Sequence, residues 1–145
     1  MLSVQMLFSS NQSMHLQVQI LENQHQMFVT FVYGLNSSLE RLSLWDEICN
    51  LHQTSQNLPW MLLGHFNIVR SVTEKDGGDL SWTIGMEELN TCCCNADLDD
   101  LRFKGHWFTW YNRNPLNPIW QKFDRVLINP GWTACYPSAE AEFLP

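Results

Sequence analysis

The chain has 145 residues, of which 45% are hydrophobic and 16% are charged, and its formal net charge is −7. This is the composition of a globular protein, long enough for one domain with a buried core, and it excludes a disordered chain. Only eight Lys and Arg stand against fifteen Asp and Glu, which argues against tight non-specific binding to nucleic acid. A metal-dependent phosphodiesterase is not excluded, because such a site needs carboxylates.

The five cysteines indicate free thiols rather than a metal site or a disulfide framework. Their number is odd, no Cys-x-x-Cys pair is present, and Cys92, Cys93 and Cys94 are consecutive. The N-terminal residues lack the pattern of a secretory signal, and no apolar run reaches the roughly 20 residues of a membrane span. We therefore expect an intracellular protein without a membrane segment, in the nucleus or the cytoplasm.

The N-terminal part of the chain predicts a β-hairpin. Residues 15–20 alternate polar and apolar side chains, which is typical of a half-buried strand. Residues 27–33 form a continuous β-branched and aromatic run, as expected of a buried central strand. The polar residues 22–26 supply the turn between them, whereas the first fourteen residues are weakly patterned.

A helix and a further strand are predicted after the hairpin. Ser37 and Glu40 fit a capping box, and the apolar stripe that follows indicates an amphipathic helix of about four turns. Asn57 and Pro59 stop this helix. The apolar run 60–63 is then predicted as the next strand.

The second half of the chain predicts a short helix and two strands. The helix covers residues 86–94, and the strands cover residues 106–111 and 119–128, with a loop rich in turn formers between them. Residues 74–79 form a polar, Gly-rich loop. The resulting order β-β-α-β-α-β-β predicts a mixed α/β (α+β) fold, with a largely antiparallel sheet and helices on one face.

The most informative stretch is a short buried strand that runs into a Gly turn. Gly64 follows the apolar run, and His65 and Asn67 come directly after it. Open α/β sheets place their chemistry at the carboxyl ends of their strands, so both polar residues are candidate site residues. Two plainer interpretations stay open, in which Asn67 caps the turn and His65 occupies a position under no catalytic demand.

Six sequence blocks in order make the pattern specific. They are FVYGLN at 31–36, RLSLW at 41–45, PWMLLGHFN at 59–67, EKDGG at 74–78, GHWFTWYN at 105–112 and KFDRVLIN at 122–129. Together they resemble the endonuclease/exonuclease/phosphatase superfamily domain of plant LINE-type (non-LTR) retrotransposons. The resemblance implies two packed β-sheets flanked by helices, and Mg²⁺-dependent hydrolysis of a DNA phosphodiester.

The resemblance also implies roles for five residues. Tyr33 would order the phosphate or the attacking group, with Asn36 beside it, and Asn67 would hydrogen-bond the phosphate through its amide. Asp124 would orient a catalytic His. His65 stands where the family carries an essential Asp, and a neutral imidazole can accept a proton but cannot supply the negative charge that favours Mg²⁺.

Parts of the family pattern have no counterpart here. The resemblance implies one partial domain over residues 1–145, without the family's N-terminal half, which carries a metal-binding Glu, and without its final Ser-Asp-His segment. We therefore expect Asp124 to lack a catalytic His to orient, and we assign no metal ligand. Phe108, Trp110 and Arg125 are expected to be core and sheet residues rather than DNA contacts.

Three hypotheses about function follow from these observations. The first is a remnant of a Mg²⁺-dependent DNA endonuclease that no longer turns over substrate. The second is a non-catalytic module that binds nucleic acid or a protein, since a partial domain exposes an apolar flank and unpaired sheet edges. The third is an enzyme completed by a second chain that supplies the missing Glu and His.

Overall fold

The chain folds into eleven strands, three α-helices and a 3₁₀ turn, and the computed structural model describes all residues, Met1–Pro145. The strands are β1 (Leu2–Ser9), β2 (Ser13–Ile20), β3 (His25–Tyr33), β4 (Trp60–His65), β5 (Lys75–Asp76), β6 (Asp99–Asp100), β7 (Phe103–Gly105), β8 (Trp110–Tyr111), β9 (Trp120–Gln121), β10 (Asp124–Ile128) and β11 (Ala141–Phe143). The helices are α1 (Ser38–Ser55), α2 (Ile84–Asn95) and α3 (Pro130–Cys135), and the 3₁₀ turn is Val72–Glu74.

Six strands form the main sheet, in the order β1-β2-β3-β4-β10-β6. Neighbouring strands in it run antiparallel except β3 and β4, which are parallel because helix α1 crosses over between them. Two small sheets pair β5-β9-β8 and β11-β7. The predicted fold class, mixed α+β with a mostly antiparallel sheet, is confirmed.

The hydrophobic core lies between the main sheet and helices α1 and α2. Trp60 and Leu62, two residues apart on β4, point to the same side and are fully buried. Leu44 and Ile48, four residues apart on α1, share one helix face and belong to the same buried cluster, as does Leu89 of α2. Burial of this apolar surface, at about 25 cal/mol per Å², holds the helices on the sheet.

The predicted hairpin and first helix are confirmed. Strands β2 and β3 pair antiparallel along their whole length. Ser37 caps α1: its hydroxyl oxygen accepts from the Glu40 backbone N–H at 3.1 Å and its hydroxyl group donates to the Glu40 carboxylate at 2.8 Å. None of the three helices is long and apolar enough to cross a membrane.

One strand was not predicted, and one prediction about a strand is wrong. The weakly patterned N-terminus forms β1, whose two-residue alternation is interrupted by a bulge between Met6 and Phe8. The predicted strand 119–128 is two strands, because Lys122 and Phe123 carry the chain from a small sheet into the main sheet. A single apolar run cannot reveal that its two ends pair with different partners.

Arg125 is a fully buried cation whose charge is balanced by carboxylates. Its guanidinium donates to Glu74 and, at 2.8 Å, to Asp100, and Arg70 donates to Asp100 at 2.7 Å. These hydrogen bonds hold two elements against β10: the segment that follows β4, and strand β6. The expectation that Arg125 is a sheet residue is confirmed, and removing one partner would leave an uncompensated buried charge.

The five cysteines are free thiols, and two of them belong to the core. Burial raises the pKa of the Cys93 thiol to about 11, and burial likewise raises the pKa of Cys92. Both thiols therefore stay protonated at neutral pH, and a protonated thiol is a poor nucleophile and metal ligand.

Shortening Leu62 should destabilise the fold strongly. We expect Leu62→Ala to lower the free energy of unfolding by about 2–5 kcal/mol, because it removes buried methyl groups and leaves a cavity. Urea unfolding followed by the fluorescence of the seven Trp residues measures the change. The control Leu116→Ala, at a side chain that is 88% exposed, should change it by less than about 0.5 kcal/mol. Equal effects of the two variants would contradict this core.

Candidate functional site

The candidate residues meet where strands β3 and β4 end. In the parallel pairing of these strands Tyr33 lies beside His65, and in the antiparallel pairing of β10 with β4 Asp124 lies on the other side of His65. Paired residues on neighbouring strands project to the same face of a sheet. The three side chains therefore share one corner of the main sheet, on the face opposite the helices.

The His65 ring is hydrogen-bonded at both of its nitrogens. Nδ1 lies 3.0 Å from Asp124 Oδ1, and Nε2 lies 3.0 Å from Asn67 Oδ1. The Asn67 amide nitrogen donates to the Gly34 carbonyl at 2.8 Å and to Asn36 Oδ1 at 3.0 Å, so its oxygen is the atom that faces the ring. Because both partners of the ring are acceptors, the doubly protonated imidazolium satisfies both hydrogen bonds.

Two aromatic rings hold the His65 ring in this orientation. Tyr33 stacks on it with ring centroids 5.5 Å apart, and Phe123 meets it edge-on at 5.4 Å. The Tyr33 side chain is 63% exposed, so this side of the corner is open to solvent. An imidazolium against an aromatic face gains a favourable cation–π interaction.

His65 and Asp124 shift each other's pKa towards an ion pair. The hydrogen bond to Asp124 raises the pKa of His65, and burial of the ring only partly opposes this. Burial would raise the pKa of Asp124, but the hydrogen bonds from His65 and Thr109 outweigh it and leave that pKa below its usual value. The corner therefore favours a cation–anion pair in which the two charges neutralise each other.

Two backbone features bring His65 and Asn67 together. Gly64 has φ +144°, and a Cβ there would lie 2.0 Å from the Val32 carbonyl oxygen on the neighbouring strand, so only glycine fits. Asn67 has φ 58°, in the left-handed region that Asn tolerates better than most residues. The chain can therefore turn back directly after His65, which places the Asn67 amide against the His65 ring.

The structure brings the five sequence-predicted residues into one connected group. Asn36, Asn67, His65 and Asp124 form a continuous chain of hydrogen bonds, and Tyr33 covers the ring. Asp124 is hydrogen-bonded to His65 on the adjacent strand, a partner that sequence reasoning overlooked because the two lie 59 residues apart.

Two further residues support Asp124 and were not predicted. The Thr109 hydroxyl oxygen accepts from the backbone N–H of Phe123 at 3.1 Å and of Asp124 at 2.9 Å, which fixes the start of β10. Lys122 is buried with Nζ 3.8 Å and 4.0 Å from the ring centroids of Phe103 and Phe143, and burial lowers its pKa to about 8. Thr109 and Lys122 lie inside two of the six sequence blocks described above, and this position is the only sequence signal that could have indicated them.

The donors at this corner do not fit Mg²⁺. That ion requires near-octahedral oxygen coordination, usually with one or two carboxylates. Asp124 is the only carboxylate in the hydrogen-bonded group, and its oxygen faces the His65 ring, whose charge repels a second cation. Nowhere in the chain do three His, Cys, Asp or Glu side chains gather in a metal-binding arrangement.

An aromatic cavity of about 560 Å³ opens beside Asp124. Tyr111 and Trp120 stack in its wall with ring centroids 4.1 Å apart. Trp110 belongs to β8 and packs against the core residue Phe123, so it is a core and sheet residue as expected. Phe108, in contrast, lies in the loop before β8 and lines the cavity.

The fold is shared with several solved structures, although no protein-family model and no curated protein matches the sequence. The endonuclease domain of TRAS1, a telomere-specific non-LTR retrotransposon, gives a TM-score of 0.70 at 12% identity over 89% of this chain and 56% of its own. A hairpin-deletion mutant of Staphylococcus aureus beta toxin gives a TM-score of 0.55 at 14% identity, over 84% of this chain and 45% of its own. D. rerio TDP2 complexed with a single-strand DNA product gives a TM-score of 0.52 at 13% identity, over 88% of this chain and 52% of its own.

The chain shares the fold of the TRAS1 endonuclease domain. At these identities the similarity shows the fold alone, and the chain spans about half the length of the solved structures that it matches. A beta toxin mutant with the same TM-score of 0.55 was solved with bound magnesium ions. The corner of the present chain carries an imidazolium–carboxylate pair instead of a donor set for such an ion.

Replacing Asp124 should return His65 to ordinary titration. We expect Asp124→Asn to lower the pKa of His65 towards about 6.5, because the hydrogen bond to the carboxylate is the main cause of its raised value. An NMR titration of the ring Hε1 resonance measures the shift. The control Asp97→Asn, in the exposed turn after α2, should leave it unchanged. An unaltered His65 titration in Asp124→Asn would contradict the pairing.

The pair should also make stability depend on pH in a defined direction. Because the folded pKa of His65 is raised, its contribution is complete below the unfolded pKa of about 6.5 and is lost as the pH rises through the folded pKa. Because the folded pKa of Asp124 is lowered, its contribution is present above about pH 4 and is lost as the pH falls through the folded pKa.

Urea unfolding at several pH values tests this dependence. The difference in unfolding free energy between the wild type and His65→Gln should be larger at about pH 5.5 than at about pH 9. The matched control His25→Gln, at an exposed position, should show no such trend. A difference that grows with pH would mean that His65 is neutral in the folded protein.

Proposed function

We propose that the chain derives from a Mg²⁺-dependent phosphodiesterase domain of the LINE-retrotransposon endonuclease kind and that it no longer turns over substrate. One observation carries this proposal: the His65 ring occupies the strand end where that family has an Asp, and protein acceptors take both of its N–H groups. The similarity in fold to the TRAS1 endonuclease domain supports the origin.

The hydrogen bonds of the corner leave no group ready for acid–base catalysis. A general base must reach the proton of an attacking water with a free lone pair. The His65 imidazolium has none, and the Asp124 carboxylate, with its lowered pKa, is held by His65, while the Asp124 backbone N–H donates to the Thr109 hydroxyl. The Asn67 amide, which would hydrogen-bond a phosphate, is already saturated by three protein partners.

Single-stranded nucleic acid is the partner that the surroundings of the corner favour. The aromatic cavity beside Asp124 offers faces of the kind on which bases stack, and stacking needs no neutralisation of phosphates. The chain has too few cations for strong backbone contacts to a duplex, so we expect weak, salt-sensitive binding. The single-strand DNA product bound to TDP2 supports this choice as an analogy.

Restoring a carboxylate should restore metal binding. We expect the wild type to leave supercoiled plasmid intact in Mg²⁺. We expect His65→Asp to bind Mn²⁺ at least about tenfold more tightly than the wild type, because two carboxylates would then face each other across β4 and β10. Electron paramagnetic resonance of Mn²⁺ measures binding, and a plasmid-nicking assay measures turnover.

The control for this experiment is His106→Asp, which introduces the same charge at an exposed position beside the aromatic cavity. It should not change Mn²⁺ affinity. Robust nicking by the pure wild type, abolished in Asn67→Ala, would overturn the proposal that turnover is lost.

A further inference from the structure

A groove runs between helices α1 and α2, on the side of the main sheet away from the candidate site. Its volume is about 380 Å³, near the lower end of the range of ligand pockets. Residues between positions 42 and 49 of α1 form one wall, and residues between positions 87 and 95 of α2 form the other. At 1.5 Å of rise per residue, these walls are about 10 Å long. We call this surface the helix groove.

The floor of the helix groove is apolar. Trp45 and Cys92 are buried there, and Leu42 lies beside them with 43% of its surface exposed. The Cys92 thiol lies 3.8 Å from the Trp45 carbonyl oxygen, and both residues belong to the core cluster. An apolar side chain of a ligand, placed in the groove, would therefore extend the core of the protein.

The rim of the helix groove carries three carboxylates and no cation. They are those of Asp46, Glu87 and Glu88, and none of them forms a salt bridge within the chain. The helix dipole favours Glu87 in the first turn of α2, but Asp46 lies in the middle of α1, where the dipole has no such effect. A polar rim of this kind is typical of a surface that faces water.

The rest of the helices does not supply the missing positive charge. Helices α1 and α2 carry five carboxylates and one guanidinium. That guanidinium belongs to Arg41, which is 3% exposed and donates to the carbonyl groups of Leu35 and Asn36. The groove therefore attracts a cationic ligand. It repels a nucleic-acid backbone, an anionic membrane and a second copy of this chain, whose net charge is −7.

Trp45 gives an independent indication that the groove takes a ligand. Its side chain is 6% exposed, and its indole N–H has no acceptor within the chain. Buried polar groups are nearly always paired, and an unpaired buried donor destabilises a fold. Among the residues that line the groove, Trp45 is the only one with such a donor. A ligand that brings a carbonyl oxygen would supply the acceptor.

We propose that the helix groove binds a short basic segment of a partner protein. An apolar side chain of the segment fills the floor beside Leu42 and Trp45, and flanking Lys or Arg side chains meet the three carboxylates of the rim. An extended segment rises about 3.3 Å per residue, so about three residues span the groove. Its backbone carbonyl groups are free of intrahelical bonds and can accept from the Trp45 N–H.

An NMR titration of the isotope-labelled chain tests the proposal, with the peptide acetyl-Gly-Lys-Arg-Leu-Arg-Lys-Gly-amide as the probe. We expect a dissociation constant of about 10 µM to 1 mM, because the contact is much smaller than a standard interface. The shift changes should centre on the two walls of the groove. The Trp45 indole N–H resonance should move downfield as it gains an acceptor.

Two control peptides separate the contributions of charge and of the apolar anchor. The peptide with Glu in place of its four basic residues should not bind, since the rim would repel it. The peptide with Ser in place of Leu should bind at least about fivefold more weakly, because it buries no apolar side chain.

One pair of variants tests the floor of the groove. Leu42→Lys should raise the dissociation constant by about tenfold or more, because it removes an apolar contact and adds a charge of the same sign as the peptide. The matched control Leu116→Lys, at a leucine that is 88% exposed in the loop between β8 and β9, should change it by less than about twofold.

A second pair of variants tests the rim. Asp46→Asn combined with Glu87→Gln should raise the dissociation constant about fivefold at low ionic strength, and by less at physiological ionic strength, where salt screens exposed charges. The matched control Asp76→Asn combined with Asp97→Asn removes the same charge at exposed positions outside the groove. It should change the constant by less than about twofold.

The proposal is wrong if the basic peptide does not bind, or if its shift changes centre outside the two walls or leave the Trp45 indole resonance in place. Equal binding of the acidic peptide would indicate adhesion to apolar surface in general. Equal effects of a variant and its control would indicate attraction to the acidic chain as a whole, and would overturn the proposal too. A cooperative urea transition confirms that each variant is folded, and Leu42→Ser replaces Leu42→Lys if that variant is not.

Discussion

The pairing of β4 with β10 is the constraint on which the core and the candidate site both depend. Its register sets Leu62 beside Leu127 on the helix side of the sheet and His65 beside Asp124 on the opposite face. Because side chains alternate with a period of two, a slip of one residue would exchange the faces of the whole strand. The same register therefore buries the core and assembles the ion pair.

Two cations of the main sheet are neutralised within the chain. Arg125, which points to the helix side of β10, is balanced by Glu74 and Asp100, and His65, on the opposite face of β4, is balanced by Asp124. An isolated charge in such surroundings would be costly, and each pair removes that cost locally. At the corner of the sheet, the Asp124 carboxylate is engaged by His65, so its charge is balanced within the protein and is not directed at a metal ion.

Helices α1 and α2 cover one face of the main sheet. The solved structures of this fold are about twice as long as the matched region, so each has further chain beyond the part that is shared. The candidate site lies at a corner of the opposite face, where the ends of β3 and β4 meet solvent, and not at its centre.

Local patterns in the sequence determined the hairpin, the capped helix α1 and the strand at residue 60, because alternation, capping and turn chemistry act between near neighbours. The five candidate site residues came from the resemblance to a known family. Tertiary structure decided what the patterns could not express. It placed β1 at the edge of the sheet, divided the run 119–128 between two sheets, and gave Asp124 its partner in His65. Contacts between residues 59 positions apart depend on strand order and register, which no local pattern encodes.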